Sequence, residues 1–202
     1  NKVRMQAGDF AEITTKLLLK HFYNKESLNK LKYKLHAGRS VFGTDLIAFD
    51  NINSPQNISF CEVKSKKSLK IGKIDPSEKE EDLYISVKAH NSLKYDTEQK
   101  INPVLRFMMN RAYEAQNFEQ FKMLREILNG KKIVNKAYEI FILTEDSKNS
   151  IKPLMDALEK IDDKLNPLFL TIILVDDLTY IRNEVWGGIE KYAFSLYGVD
   201  DD

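Results

Sequence analysis

The 202-residue chain carries 31 Lys and Arg against 30 Asp and Glu, a formal net charge of +1, so any surface for a polyanion has to be local rather than global. Its one cysteine, Cys61, excludes an internal disulfide and fits a reducing cytoplasm, and with His21, His36 and His90 it is too little for a Cys/His zinc site. No run of about eighteen apolar residues occurs, so no membrane span is expected. The length suits a single domain over 1–202, with a core at about 8–144 and a C-terminal strand–helix extension at 145–202. The chain opens with Asn and lacks a signal-peptide pattern, as expected where the native start lies upstream.

Phe10, Ile13, Thr14, Leu17, Leu18 and Phe22 recur at helical spacing and predict an amphipathic helix over about 9–23. Asp9 stands where an N-cap would, with Glu12 three residues later as a capping-box acid. The stretch from Leu31 to Ser40 predicts a first strand ending near Ala37-Gly38, with His36 an ordinary strand residue or a neighbour of the site. Gly38 and Gly43 bracket a tight connection into the segment that organises the rest, GTDLIAFDNINSPQNISFCEVK, from Gly43 to Lys64.

That segment reads as two apolar strands joined by a turn over Asn51 to Asn57. In the first, Asp45 precedes Leu46-Ile47-Ala48-Phe49, apolar on both faces, as expected of a strand covered on both sides. In the second, Ile58, Phe60, Glu62 and Lys64 share one face while Ser59, Cys61 and Val63 share the other. A buried, unpaired carboxylate is costly, so acids at the ends of two core strands point to pairing, metal binding or chemistry. Strand-end capping for Asp45 and a cross-strand ion pair for Glu62 and Lys64 are the structural alternatives.

Downstream, 69–82 reads as a solvated loop, with Asp75-Pro76-Ser77-Glu78 laid out as a helix start and Glu80, Glu81 and Asp82 as first-turn acids. A helix is predicted over 80–99, with His90 and Lys94 on one face. Pro103 breaks it, and a second helix follows over 104–128, burying Phe107, Met108, Phe118, Phe121, Leu124 and Leu128 and stopping at Asn129-Gly130. Strands are predicted at 138–144 and 168–175, and helices at 151–165 and 178–196, the last with an aromatic face and Gly187-Gly188 as its weak point. The acidic end Asp200-Asp201-Asp202 is expected to be disordered. The order helix, three strands, helices, strand, helix, strand, helix predicts an α/β fold, helices flanking one mixed sheet.

Asp45 followed after sixteen residues by Glu62-Val63-Lys64 resembles the PD-(D/E)xK nuclease superfamily, with Thr44 in place of the motif's proline. The resemblance is strongest over 8–67 and weaker to about 144. It implies a restriction-endonuclease-like mixed sheet with a helical insertion, and a metal-dependent nuclease that hydrolyses phosphodiester bonds in DNA. Asp45, Glu62 and the Val63 carbonyl would hold Mg²⁺ or Mn²⁺, and Lys64 would orient or help deprotonate the attacking water. Gly8-Asp9-Phe10-Ala11-Glu12 resembles the superfamily's site-facing helix, which implies that Glu12 holds a second cation or a metal-bound water. His90 and Lys94 are the further candidates for approaching the phosphate, or else part of a solvated helix face. Lys64-Ser65-Lys66-Lys67, Lys70 and Lys73 are the candidate phosphate-binding surface.

Within the superfamily, GTDLIAF, FCEVKSKKS and a helix containing SLKYD are similar to HamA, the nuclease family of the Hachiman anti-phage defence system. That similarity implies a helicase partner and no small-molecule cofactor. Two other readings stay open: a nuclease-like clamp that binds nucleic acid without cutting it, and a subunit whose helices at 80–128 and 178–197 dock on a larger partner.

Overall fold

The computed structural model describes residues 2–29, 44–69, 84–146 and 151–197. Its elements are α1 (Lys2–Phe22), β1 (Glu26–Asn29), β2 (Leu46–Phe49), β3 (Asn57–Ser65), α2 (Ile85–Glu114), α3 (Phe118–Leu128), β4 (Asn135–Thr144), α4 (Ile151–Glu159), β5 (Leu168–Leu174) and α5 (Leu178–Tyr197). The strands form one sheet in the order β1-β2-β3-β4-β5. β1, β2 and β3 pair antiparallel; β3, β4 and β5 pair parallel. Parallel neighbours cannot be joined by a hairpin, so α2 with α3, and then α4, form the crossovers. This mixed α/β sheet with helices on both faces is consistent with a restriction-endonuclease-like fold.

Period-two alternation splits the core into two layers. Ile47, Phe49, Ile58, Phe60, Ile140 and Ile142 pack with α2, α3 and α4, including Leu93, Leu124 and Leu154. On the opposite face Leu46, Ala48, Cys61, Val63, Phe141 and Leu143 pack with Phe10, Ala11 and Leu19 of α1 and Leu178 of α5. β2 and β3 are therefore buried on both sides, as the apolar run of β2 predicts.

Several elements depart from the sequence expectations. α1 begins at Lys2, so Asp9 and Glu12 lie well inside it and the capping-box reading fails. Its buried stripe is Phe10, Ala11, Thr15 and Leu19, while Leu17 and Phe22 are exposed. The small side chains of Ala11 and Thr15 let the helix backbone approach the sheet. The predicted strand in 31–40, with His36, lies outside the described residues, as do Gly38, Gly43, Lys70, Lys73, the 75–82 helix start and the terminal acids. The described strand at 26–29 was not anticipated; it pairs Glu26 through Asn29 with Phe49 through Leu46.

Pro103 does not end a helix: α2 runs through it for 30 residues. Proline removes one backbone hydrogen bond, and packing on both sides of it outweighs the loss, since Val87, Ala89 and Leu93 before it and Met108 and Ala112 after it share one core layer. The break comes at residues 115–117, where Gln116 adopts φ +56° and the Asn117 and Gln116 N–H groups donate to the Ala112 and Tyr113 carbonyls. The same closure recurs at the end of α3 with Gly130 at φ +67° and Lys131 N–H donating to Glu126 O, as Asn129-Gly130 predicts. Of the expected buried set, Met108 and Leu124 are buried, whereas Phe118 is 60% exposed and meets Tyr113 edge-on. α4 stops at Glu159, six residues early, because the chain beyond it is held by α2.

Candidate active site

β2 and β3 are in register only as far as Leu46 opposite Cys61. Among the described residues the pairing ends there, and Asp45, immediately ahead of β2, reaches across the end of the ladder. Its Oδ2 accepts a hydrogen bond from the Val63 N–H at 2.8 Å. In an extended strand the N–H and C=O of one residue project to the same edge, so the Val63 carbonyl also faces the opening beside Asp45.

Glu62 is paired in register with Ile140 and Lys64 with Ile142, which puts both side chains on the α2 face of the sheet. The Glu62 side chain is 2% exposed; Lys64, a third exposed, donates from Nζ to Glu62 Oε1. Glu62 Oε2 is buried with no hydrogen-bond partner among the described residues. Burial, and then the charge of Asp45, push the Glu62 carboxyl from 4.5 up to about 7, against the opposing pull of Lys64 and the Ser92 hydroxyl. The site thus couples two carboxylates and one ammonium at the end of a strand pair.

The oxygen donors present are those a hard divalent cation selects: two carboxylates and one strand carbonyl. A cation there would also supply what Glu62 lacks, a positive charge beside its orphaned, desolvated oxygen. Among the described residues no three His, Cys, Asp or Glu side chains are grouped to hold an ion, so carbonyl and water oxygens would complete the coordination.

Glu12 is buried at 9% exposure, on the helix layer that covers the opposite face from Glu62 and Lys64. The structure brings Asp45, Glu62 and Lys64 together. His90 and Lys94 do share a face of α2, but it turns to the loop after α4: the Leu165 N–H donates to His90 Nε2 at 3.2 Å, and Lys94 Nζ pairs with Asp163. They anchor that loop to α2. In the basic run after β3, Lys67 pairs with Glu145 at 3.4 Å.

Two features escaped the sequence. Ser92, inside the SLKYD stretch, influences Glu62 because α2 crosses over β3. On the α1 face, Lys25 Nζ donates to Glu139 Oε1 at 2.6 Å and to Ser59 Oγ at 3.0 Å, tying the end of α1 to β3 and β4. The signal for the second was present, since Glu139 is a lone acid in an otherwise apolar strand, as Glu62 is. Cys61, fully buried beside this pair, has its thiol held well above its ordinary pKa by burial and by Glu139, which excludes it as a nucleophile.

Among the described residues no helix is long and apolar enough to cross a membrane. The HamA family model matches residues 1–198 of the chain. No curated protein matches it.

Proposed function

The chain belongs to the HamA family, and from that membership and the acid pair we propose a metal-dependent nuclease that hydrolyses DNA phosphodiester bonds in Hachiman anti-phage defence, working with a helicase partner. One observation carries the chemical part of the reading. Glu62 is buried beside Asp45 with one oxygen lacking a hydrogen bond among the described residues, and burial first, then the charge of Asp45, pushes its carboxyl up to about 7. A fold keeps so unfavourable a pair where a ligand relieves it, and a divalent cation does so with the fewest further requirements.

Asp45, Glu62 and the Val63 carbonyl are the residues that would hold Mg²⁺ or Mn²⁺. Such an ion supplies Lewis acidity toward a phosphate oxygen and toward water. Asp45 also keeps its carboxylate aimed by accepting from the Val63 N–H, so the donor is preorganised by the strand itself. Lys64 Nζ, on the Glu62 face and partly open to solvent, orients the attacking water and offsets the charge that develops on the phosphate. Ser92 steadies the ionised form of Glu62. Glu12, buried on α1, would hold a second cation or a metal-bound water. For the partner, edge strand β5 offers the half-exposed apolar side chains of Phe169 and Leu174, and α5 offers Tyr180.

The test is cleavage of supercoiled plasmid and of single-stranded DNA in Mg²⁺, Mn²⁺ or EDTA, comparing the wild type with Lys64→Ala. Metal-dependent cutting that disappears in the variant is the expected result. Cutting in EDTA, or unchanged in Lys64→Ala, overturns the mechanism. Silence both alone and with a helicase partner would replace it with a clamp that binds nucleic acid without cutting.

A further inference from the structure

α2 and α3 are antiparallel neighbours joined by the tight turn at 115–117, and each turns one stripe toward the other. On α2 the stripe is Arg106, Met109 with Asn110, and Tyr113; on α3 it is Phe118, Phe121, Arg125 and Leu128, both at spacings of three to four residues. Between them lies a groove of about 440 Å³, lined by Arg106, Asn110, Phe121, Arg125 and their neighbours and by no carboxylate.

The two ends of the groove differ. Beyond the lining, toward the turn, Tyr113 sits 6.2 Å from Phe118 and 5.5 Å from the groove-lining Phe121 between ring centroids, and Tyr113 and Phe118 are each 60% exposed. Farther from the turn, Arg106 and Arg125 both line the groove, and among the described residues neither makes an ion pair. Arg111, outside the groove, is matched by Glu114 at 2.9 Å. Two uncompensated guanidiniums in one concavity are a site for an oxyanion, phosphate above all, which their planar forks grip in two places.

We infer that this groove binds a single nucleic-acid strand, a phosphate seated between Arg106 and Arg125 and a base stacked on the Tyr113 end. The inference rests on the reading that the protein acts on nucleic acid, and it adds the strandedness and the place of binding. The seven helical steps from Arg106 to Tyr113 span roughly 10 Å, the scale of one to two nucleotides. The groove's volume lies in the range that holds a small ligand, and aromatic rings beside a basic track are how sequence-tolerant single-strand binders work. A bare phosphate would leave the rings unused, and a duplex keeps its bases stacked inside. The need for such a site follows from charge: the chain is nearly neutral, and the catalytic pair is itself acidic.

The test is anisotropy of a labelled oligothymidylate and of a duplex of the same length, titrated in EDTA over a salt series. Because EDTA removes the question of cleavage, a protein that never cuts can still pass, and one that cuts can still fail. Arg106→Gln/Arg125→Gln, both at exposed positions, should weaken single-strand binding about tenfold or more and flatten the salt dependence by roughly 0.7 in the log–log slope, the value for the one phosphate held between them. Tyr113→Ala should weaken it severalfold with the slope unchanged, as a lost stacking partner does. Wild-type affinity and slope in the arginine variant overturn the site. Equal losses for duplex and single strand overturn the stacking, as does displacement of the oligonucleotide by an acidic peptide but not by unlabelled single strand.

Discussion

Glu62→Gln removes the ionisable group while keeping the shape of the side chain, and its effect should depend on pH in a definite direction. In the metal-free wild type the folded-state pKa of Glu62 lies near 7, above its ordinary 4.5. Below about 4.5 the carboxyl is protonated in both folded and unfolded chains and contributes nothing to the difference. Between 4.5 and 7 the folded protein binds the extra proton, so stability falls as pH rises, and above 7 the full cost of a buried carboxylate beside Asp45 is present. A displacement of this size corresponds to about 3 kcal/mol. Urea unfolding in EDTA should therefore give similar stabilities for wild type and Glu62→Gln near pH 5. At pH 8 the variant should be more stable by about 3 kcal/mol. Adding Mg²⁺ at pH 8 should restore stability to the wild type alone, since only the carboxylate gains from the ion. A difference between the two proteins that is the same at pH 5 and pH 8 would refute the claim that burial and Asp45 perturb this group.

Asp45→Ala and Asp45→Asn should both abolish cleavage, but they should separate in stability. Ala leaves the Val63 N–H without its acceptor, at about 1–3 kcal/mol, while Asn keeps an oxygen there; thermal melts of the two read the difference. Lys25→Met strands Glu139 on the α1 face and should cost about 2–4 kcal/mol, with Lys25→Met/Glu139→Gln less damaged than the single variant in chemical denaturation. Gln116→Gly relieves a non-glycine residue at φ +56° and should stabilise by about 0.5–1 kcal/mol, read as a higher urea midpoint at unchanged slope. His90→Ala removes the acceptor of the Leu165 N–H and should cost about 1–2 kcal/mol while leaving cleavage unchanged in the plasmid assay.

By itself the sequence determined the order of the elements from β2 onward, the mixed α/β class and the grouping of Asp45 with Glu62 and Lys64. The reason is that a two-sided apolar strand has one environment available to it, and a charge within it stands out against that environment. Period two also assigned Glu62 and Lys64 to one face without knowledge of what covers it, and Asn129-Gly130 marked the end of α3 because a left-handed closure favours glycine. Only the tertiary structure decided matters that depend on partners distant in the chain. Whether Pro103 breaks a helix turned on the packing of residues on both sides of it into one layer. Whether Glu12 caps a helix turned on how far α1 extends ahead of it. The orientation of His90 and Lys94 followed from the loop after α4, and the pairing of Lys25 with Glu139 joins residues 114 apart in sequence. Local pattern records what each residue prefers, whereas a contact is settled jointly by both partners, and one strand of text holds only half of that information at a time.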